Sequence, residues 1–96
     1  MVFMIEVLIE NALIKLNQLG TDYQGLQEEE EICKNKMQHS LSVHTKQELS
    51  NMIAYIHQEK LKILDEMIQL NINVQQYNQQ KNSINKVVFT PSNRVK

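Results

Sequence analysis

The chain has 96 residues, a formal net charge of −1 and a sequence pI near 6.3. That length fits one small domain with a thin core, and that balance excludes the basic field of a non-specific nucleic-acid binder. Two Gly, one Pro and no Trp leave little turn chemistry, while the abundant Leu, Ile, Met, Gln, Glu and Lys suit helices, so the composition predicts an all-α fold.

The opening MVFMIEVLIE is apolar but is interrupted by Glu6. No positive region precedes it and no small-residue cleavage site follows, so it is not read as a secretory signal. No run reaches the ~18 apolar residues of a membrane span. Cys33 is the single cysteine and cannot form an internal disulfide. A soluble protein of the reducing cytoplasm is expected, with neither membrane nor nucleic acid as partner.

From Val2 onward a heptad runs through the first half of the chain. Val2, Ile9, Leu16, Tyr23 and Met37 fall at position a, and Ile5, Ala12, Leu19, Leu26 and Cys33 at d. Glu30 is the one charged residue among these a positions. The phase survives LGTDYQG, although Gly20 followed by Thr21 has the look of a helix stop and a new cap. One helix over about 2–38 is the expectation, and two shorter helices broken at Gly20 to Thr21 are the alternative. Two glycines inside a helix cost roughly 2 kcal/mol relative to alanine, a sum that packing offsets.

The segment HSLSVHT, within a loop over 39–45, is too short for a crossover and suits antiparallel neighbours. Thr45 with Glu48 forms a capping box, which predicts a second helix over about 46–85. Its d positions are Leu49, Ile56, Ile63, Leu70, Tyr77 and Ile84; its a positions are Ile53, Met67 and Val74, with Lys46, Lys60 and Lys81 as polar interruptions. Residues 1–31 carry seven acids against Lys15 alone, whereas 67–96 carry four basic residues and no acid. Folding back at Leu41 to Ser42 lays these arms together, Glu6 near Lys81 and Asp22 near Lys62. The VQQYNQQKNSIN segment is rich in Asn and Gln and reads as a solvated helix surface.

The end changes character. Pro91 biases Thr90 away from helix, so the second helix is expected to stop near Asn85 or Lys86. Residues 87–96 then form a tail, which either folds back through Val87, Val88 and Phe89 or offers them to a partner.

Little in the sequence marks chemistry. Glu28 to Glu31 spread around a helix, Glu30 and Glu31 both within reach of Lys34. Cys33, His39, His44 and His57 lack metal-ligand spacing, Cys33 sits at a core position, and no phosphate loop or nucleophile elbow occurs. No catalytic, cofactor-binding or metal residue is assigned. One stretch, HTKQELSNMIAYIH, resembles the S-Q-E-L-D signature of the small helical-hairpin phosphatases that act on aspartyl-phosphate in the sporulation phosphorelay of bacilli. The likeness covers about a dozen residues around Gln47, Glu48 and Leu49, and Ser50 stands where that family has its acid. In size and patterning the chain is also similar to the small all-helical export chaperones of bacterial flagella.

The predicted architecture is therefore all-α: an antiparallel, coiled-coil-like helical hairpin over residues 1–86. Apolar residues outside strict a and d, namely Leu8, Leu13, Ile14, Met52, Leu64, Ile68 and Ile72, widen each stripe beyond a two-helix seam. A homodimer forming a four-helix bundle would cover them. The expected role is a non-enzymatic interaction module, a chaperone, adaptor or inhibitor that binds an unknown protein through an apolar helix face or the tail. The residues assigned to self-association or partner binding are Leu49, Met52, Ile53, Ile56, Ile63, Met67, Leu70, Val74 and Tyr77, with Val87, Val88 and Phe89 in the tail. Met4, Met37, Met52 and Met67 fit an adaptable surface. The alternatives are a structural coiled-coil assembly element and a phosphatase-like regulator of a phosphorelay.

Overall fold

The computed structural model describes the backbone of residues 2–94 and the side chains of residues 3–84. Two long helices, α1 (Val2–His39) and α2 (Val43–Arg94), pack against each other as a helical hairpin, and no strand occurs among the described residues.

α1 is continuous. Neither Gly20 nor Gly25 has a positive φ, so the apparent stop at Gly20 to Thr21 is overridden by the seam that runs through it. Every described a and d position from Ile5 to Met37 is buried or half-buried. A Cβ added at Gly20 or Gly25 would meet nothing within 4 Å. Gly20→Ala and Gly25→Ala should each raise the urea unfolding free energy by about 0.5–1 kcal/mol, because alanine restricts the unfolded chain and fits the helix without a clash.

The connection is shorter than the sequence suggests. Only Ser40, Leu41 and Ser42 lie between the helices, and the N-cap of α2 is Ser42, not Thr45. The Thr45 amide donates to Ser42 Oγ (3.3 Å) and the Lys46 amide to the Ser42 carbonyl (3.0 Å), which places Thr45 at the third helical position. Glu48 therefore closes no capping box; it pairs with His44 at 3.0 Å. Two cap signatures overlap here, and the earlier one adds three residues to α2. His39 Nδ1 donates to the Asn35 carbonyl (2.8 Å), satisfying an acceptor in the last turn of α1. Ser42→Ala should cost about 0.5–2 kcal/mol in thermal or chemical unfolding, and Thr45→Ala much less.

The second difference is at the end of the chain. The backbone stays helical to Arg94, so the stop expected near Asn85 or Lys86 is not found there. Nothing from Lys86 to Phe89 breaks a helix, and the bias that Pro91 imposes on Thr90 is a preference that the helical backbone overrides. The side chains of Val87, Val88 and Phe89 lie outside the described residues.

Two compact units divide the chain: residues Met1–Asn17 with Ile68–Lys96, and Gln18–Met67. In the first, Ile5 and Ala12 are buried, Leu70, Val74, Tyr77 and Ile84 are half-buried, and Glu6 meets Lys81 at 3.1 Å as the antiparallel reading requires. In the second, Cys33, Leu49 and Ile56 form the core cluster, with Leu26, Met37 and Ile53 packed against it. Asp22 and Lys62 do not pair: Lys62 reaches Glu59 and Asp22 accepts from Gln18, both partners on the same helix.

Candidate functional site

Within the unit formed by Gln18–Met67, the densest polar cluster centres on Glu30, the charged a position of α1. Its side chain is 7% exposed and meets three cationic or donor groups. Lys34 Nζ donates to Oε2 at 2.8 Å, His57 Nε2 to Oε2 at 3.1 Å, and Lys60 Nζ to Oε1 at 2.8 Å. Lys60, itself at an a position of α2, also donates to Gln27 Oε1 at 2.7 Å and stands 5.1 Å from the centre of the Tyr23 ring. Two charges at core positions on opposite helices thus satisfy each other. No buried side-chain nitrogen or oxygen lacks a partner among the described residues.

The hydrogen bonds from Lys34, Lys60 and His57 outweigh burial and hold the Glu30 carboxyl at about 2. The same contact with Glu30 raises Lys60 above its ordinary value, against the opposing effect of burial. A carboxylate so acidic and so fully engaged is a poor general base and a closed acceptor. Glu30 meets Lys60 and His57 in this alignment of the helices, and a slip would strand a charge in the seam.

Elsewhere the chemistry is sparse. Cys33 is a buried free thiol packed as a core residue. No group of three His, Cys, Asp or Glu that could hold a metal ion exists among the described residues. In the QEL segment, Leu49 is in the core, Glu48 pairs with His44, and Gln47 donates to Asn51 at 3.1 Å. No described helix is long and apolar enough to cross a membrane.

The apolar residues assigned from sequence to an interface divide sharply. Leu49 and Ile56 are buried, Ile53, Ile63, Met67, Leu70, Val74 and Tyr77 are half-buried along the seam, and Met52 alone is exposed. The chain's own first half is therefore what this regular seam packs against. Of the four methionines read as adaptable, Met4 and Met52 are exposed, while Met37 and Met67 are half-buried. All seven residues that widen the stripes, from Leu8 to Ile72, remain exposed. Sequence reasoning did not single out Phe3, although Phe3, Val7 and Ile14 recur at the b and f positions of α1, opposite its seam. A second apolar periodicity over residues 3–14 was the available signal.

These features define a class, the antiparallel helical hairpin with a self-satisfied seam and apolar outer faces. No protein-family model, curated protein or solved structure matches this chain.

Proposed function

We propose that the protein is a non-enzymatic interaction module, a small helical adaptor, chaperone or inhibitor that engages another protein through the outer face of the first part of α1. The observation that carries this reading is apolar surface left over after the hairpin has filled its seam: Phe3, Met4 and Ile14 are 76%, 69% and 61% exposed. Such residues add nothing to the core and favour association when another surface covers them. The lone thiol of Cys33 and the absence of any disulfide fit work in a reducing cytoplasm. The reading does not depend on the tail residues Val87 to Phe89.

Site-specific photo-crosslinking from position 14, in cells that make the protein, tests the proposal. One discrete protein should be captured at near-stoichiometric yield, and capture from position 14 should be lost in Phe3→Asp. Because Phe3 is exposed, that variant should keep its helicity and unfold within about 0.5 kcal/mol of the parent. Capture that survives Phe3→Asp, or a scatter of unrelated products, would reject this face as the binding site. Concentration-dependent filaments would point to the structural assembly reading. Hydrolysis of aspartyl-phosphate on a response-regulator domain, abolished by Gln47→Ala, would point to the phosphatase reading.

A further inference from the structure

The unit formed by Gln18–Met67 carries a second, separate surface. A groove between the helices is floored by the buried Cys33 and Ile56 and walled by Ile32 and Met52, which are 53% and 52% exposed. Glu29 and Lys36 stand on its α1 rim. Unlike Glu30, Glu29 has no ion-pair or hydrogen-bond partner among the described residues, and neither has Lys36.

The order of these residues is self-complementary. Glu29, Ile32 and Lys36 lie on one face of α1, with the acid one turn before the isoleucine and the base one turn after it. The midpoint between Glu29 and Lys36 falls within half a residue of Ile32. In a twofold contact residue i meets residue j of the other copy, and j meets i. A twofold axis beside Ile32, with the two α1 helices crossing antiparallel, sets Ile32 against Ile32 of the second copy. The same operation sets Glu29 against Lys36 of the second copy, and Lys36 against its Glu29. Within one chain the two charges are seven residues apart, about 10 Å along the helix, and do not pair with each other.

The geometry points to a second copy of this chain as the occupant of the groove, in a twofold dimer centred on Ile32 and locked by two reciprocal Glu29–Lys36 pairs. This goes beyond the proposed function, because it uses the other unit and a different partner; the two tests fail independently. The occupant is chosen by charge. A groove built for an acidic or a basic helix would carry a rim of one sign, whereas a rim bearing one of each, spaced evenly about an apolar centre, matches its own inverted copy.

Sedimentation equilibrium on the full chain and three variants decides the matter. The parent should reach twice its 11.3 kDa chain mass with a concentration-dependent midpoint. Glu29→Lys and Lys36→Glu each convert both reciprocal contacts into repulsions, and each should raise the dimer dissociation constant by about tenfold or more. The double variant Glu29→Lys/Lys36→Glu restores opposite charges at both contacts and should return to within about threefold of the parent. Circular dichroism should be unchanged in all three, since both side chains are exposed and without partners among the described residues. A parent that stays monomeric overturns the proposal. A dimer indifferent to the single reversals, or a double variant weaker than either single one, overturns it as well.

Discussion

Ile56→Asp should abolish most of the helical circular dichroism signal at 25 °C, whereas Leu61→Asp should leave it intact. Ile56 is 3% exposed at the centre of the Cys33 and Leu49 cluster, and Leu61 is 66% exposed five residues later on the same helix. Removing the buried isoleucine forfeits roughly 1.5–3 kcal/mol of apolar burial. Placing an unpaired carboxylate there adds several kcal/mol more, or forces local opening to hydrate it. A domain of this length holds about 5–14 kcal/mol in total, and a hairpin with so few buried side chains belongs near the bottom of that range. The comparison separates a seam effect from helix propensity, because both substitutions introduce the same residue into the same helix.

The second large effect concerns the charged pair in the seam. Glu30→Met should lower the urea midpoint more than Lys60→Met does, and the double substitution should recover to the parent's midpoint or above it. Without Glu30, Lys60 keeps only Gln27 and the Tyr23 ring; without Lys60, Glu30 still has Lys34 and His57. Replacing both charges strands no charge in the seam, because Lys34 and His57 are 57% and 55% exposed and turn to water while Gln27 gives up one donor, and it lets two methionines pack, the case in which buried ion pairs are replaced at little or no cost. Acid should reveal the same carboxylate. The folded value of Glu30, about 2, lies below its ordinary 4.5, so its contribution is whole above pH 4.5 and is lost as pH falls toward 2. The stability gap between the parent and Glu30→Gln should therefore close across that interval. A gap of constant size would mean that the carboxylate is not held by its three donors.

Much of this fold is legible in the sequence, because period and phase are local properties of each helix. The positions assigned to a and d from Ile5 to Ile84 are all buried or half-buried, apart from the exposed Lys46 beside the loop, and Gln27, Glu59 and Asn73 beside the seam are half-buried as well. The unbroken phase across Gly20 correctly argues for one helix. The contact between Glu6 and Lys81 follows from the charge asymmetry of the two arms.

What the sequence conceals is register. Heptads mark Glu30 and Lys60 as charged core positions but do not say that they meet, because that depends on loop length. The loop is shorter by one cap than the sequence suggests: Ser42 and Thr45 both carry a hydroxyl at a plausible start, and only the amide directions distinguish them. The proposed binding surfaces are hidden for a related reason. A regular seam looks like an interface until its partner helix is in place, after which the residues of interest are the ones outside the repeat, such as Phe3, Ile14 and Ile32.

The two helices of one molecule fill each other's seam. Nuclear Overhauser spectroscopy on a mixture of isotopically labelled and unlabelled chains tests this most directly, with filters that separate contacts within a molecule from contacts between molecules. The methyl groups of Ile56 should show cross-peaks to Cys33 and Leu26 that arise within one chain. Finding those cross-peaks only between labelled and unlabelled chains would mean that α1 of one molecule packs on α2 of another, and the self-satisfied hairpin would be wrong.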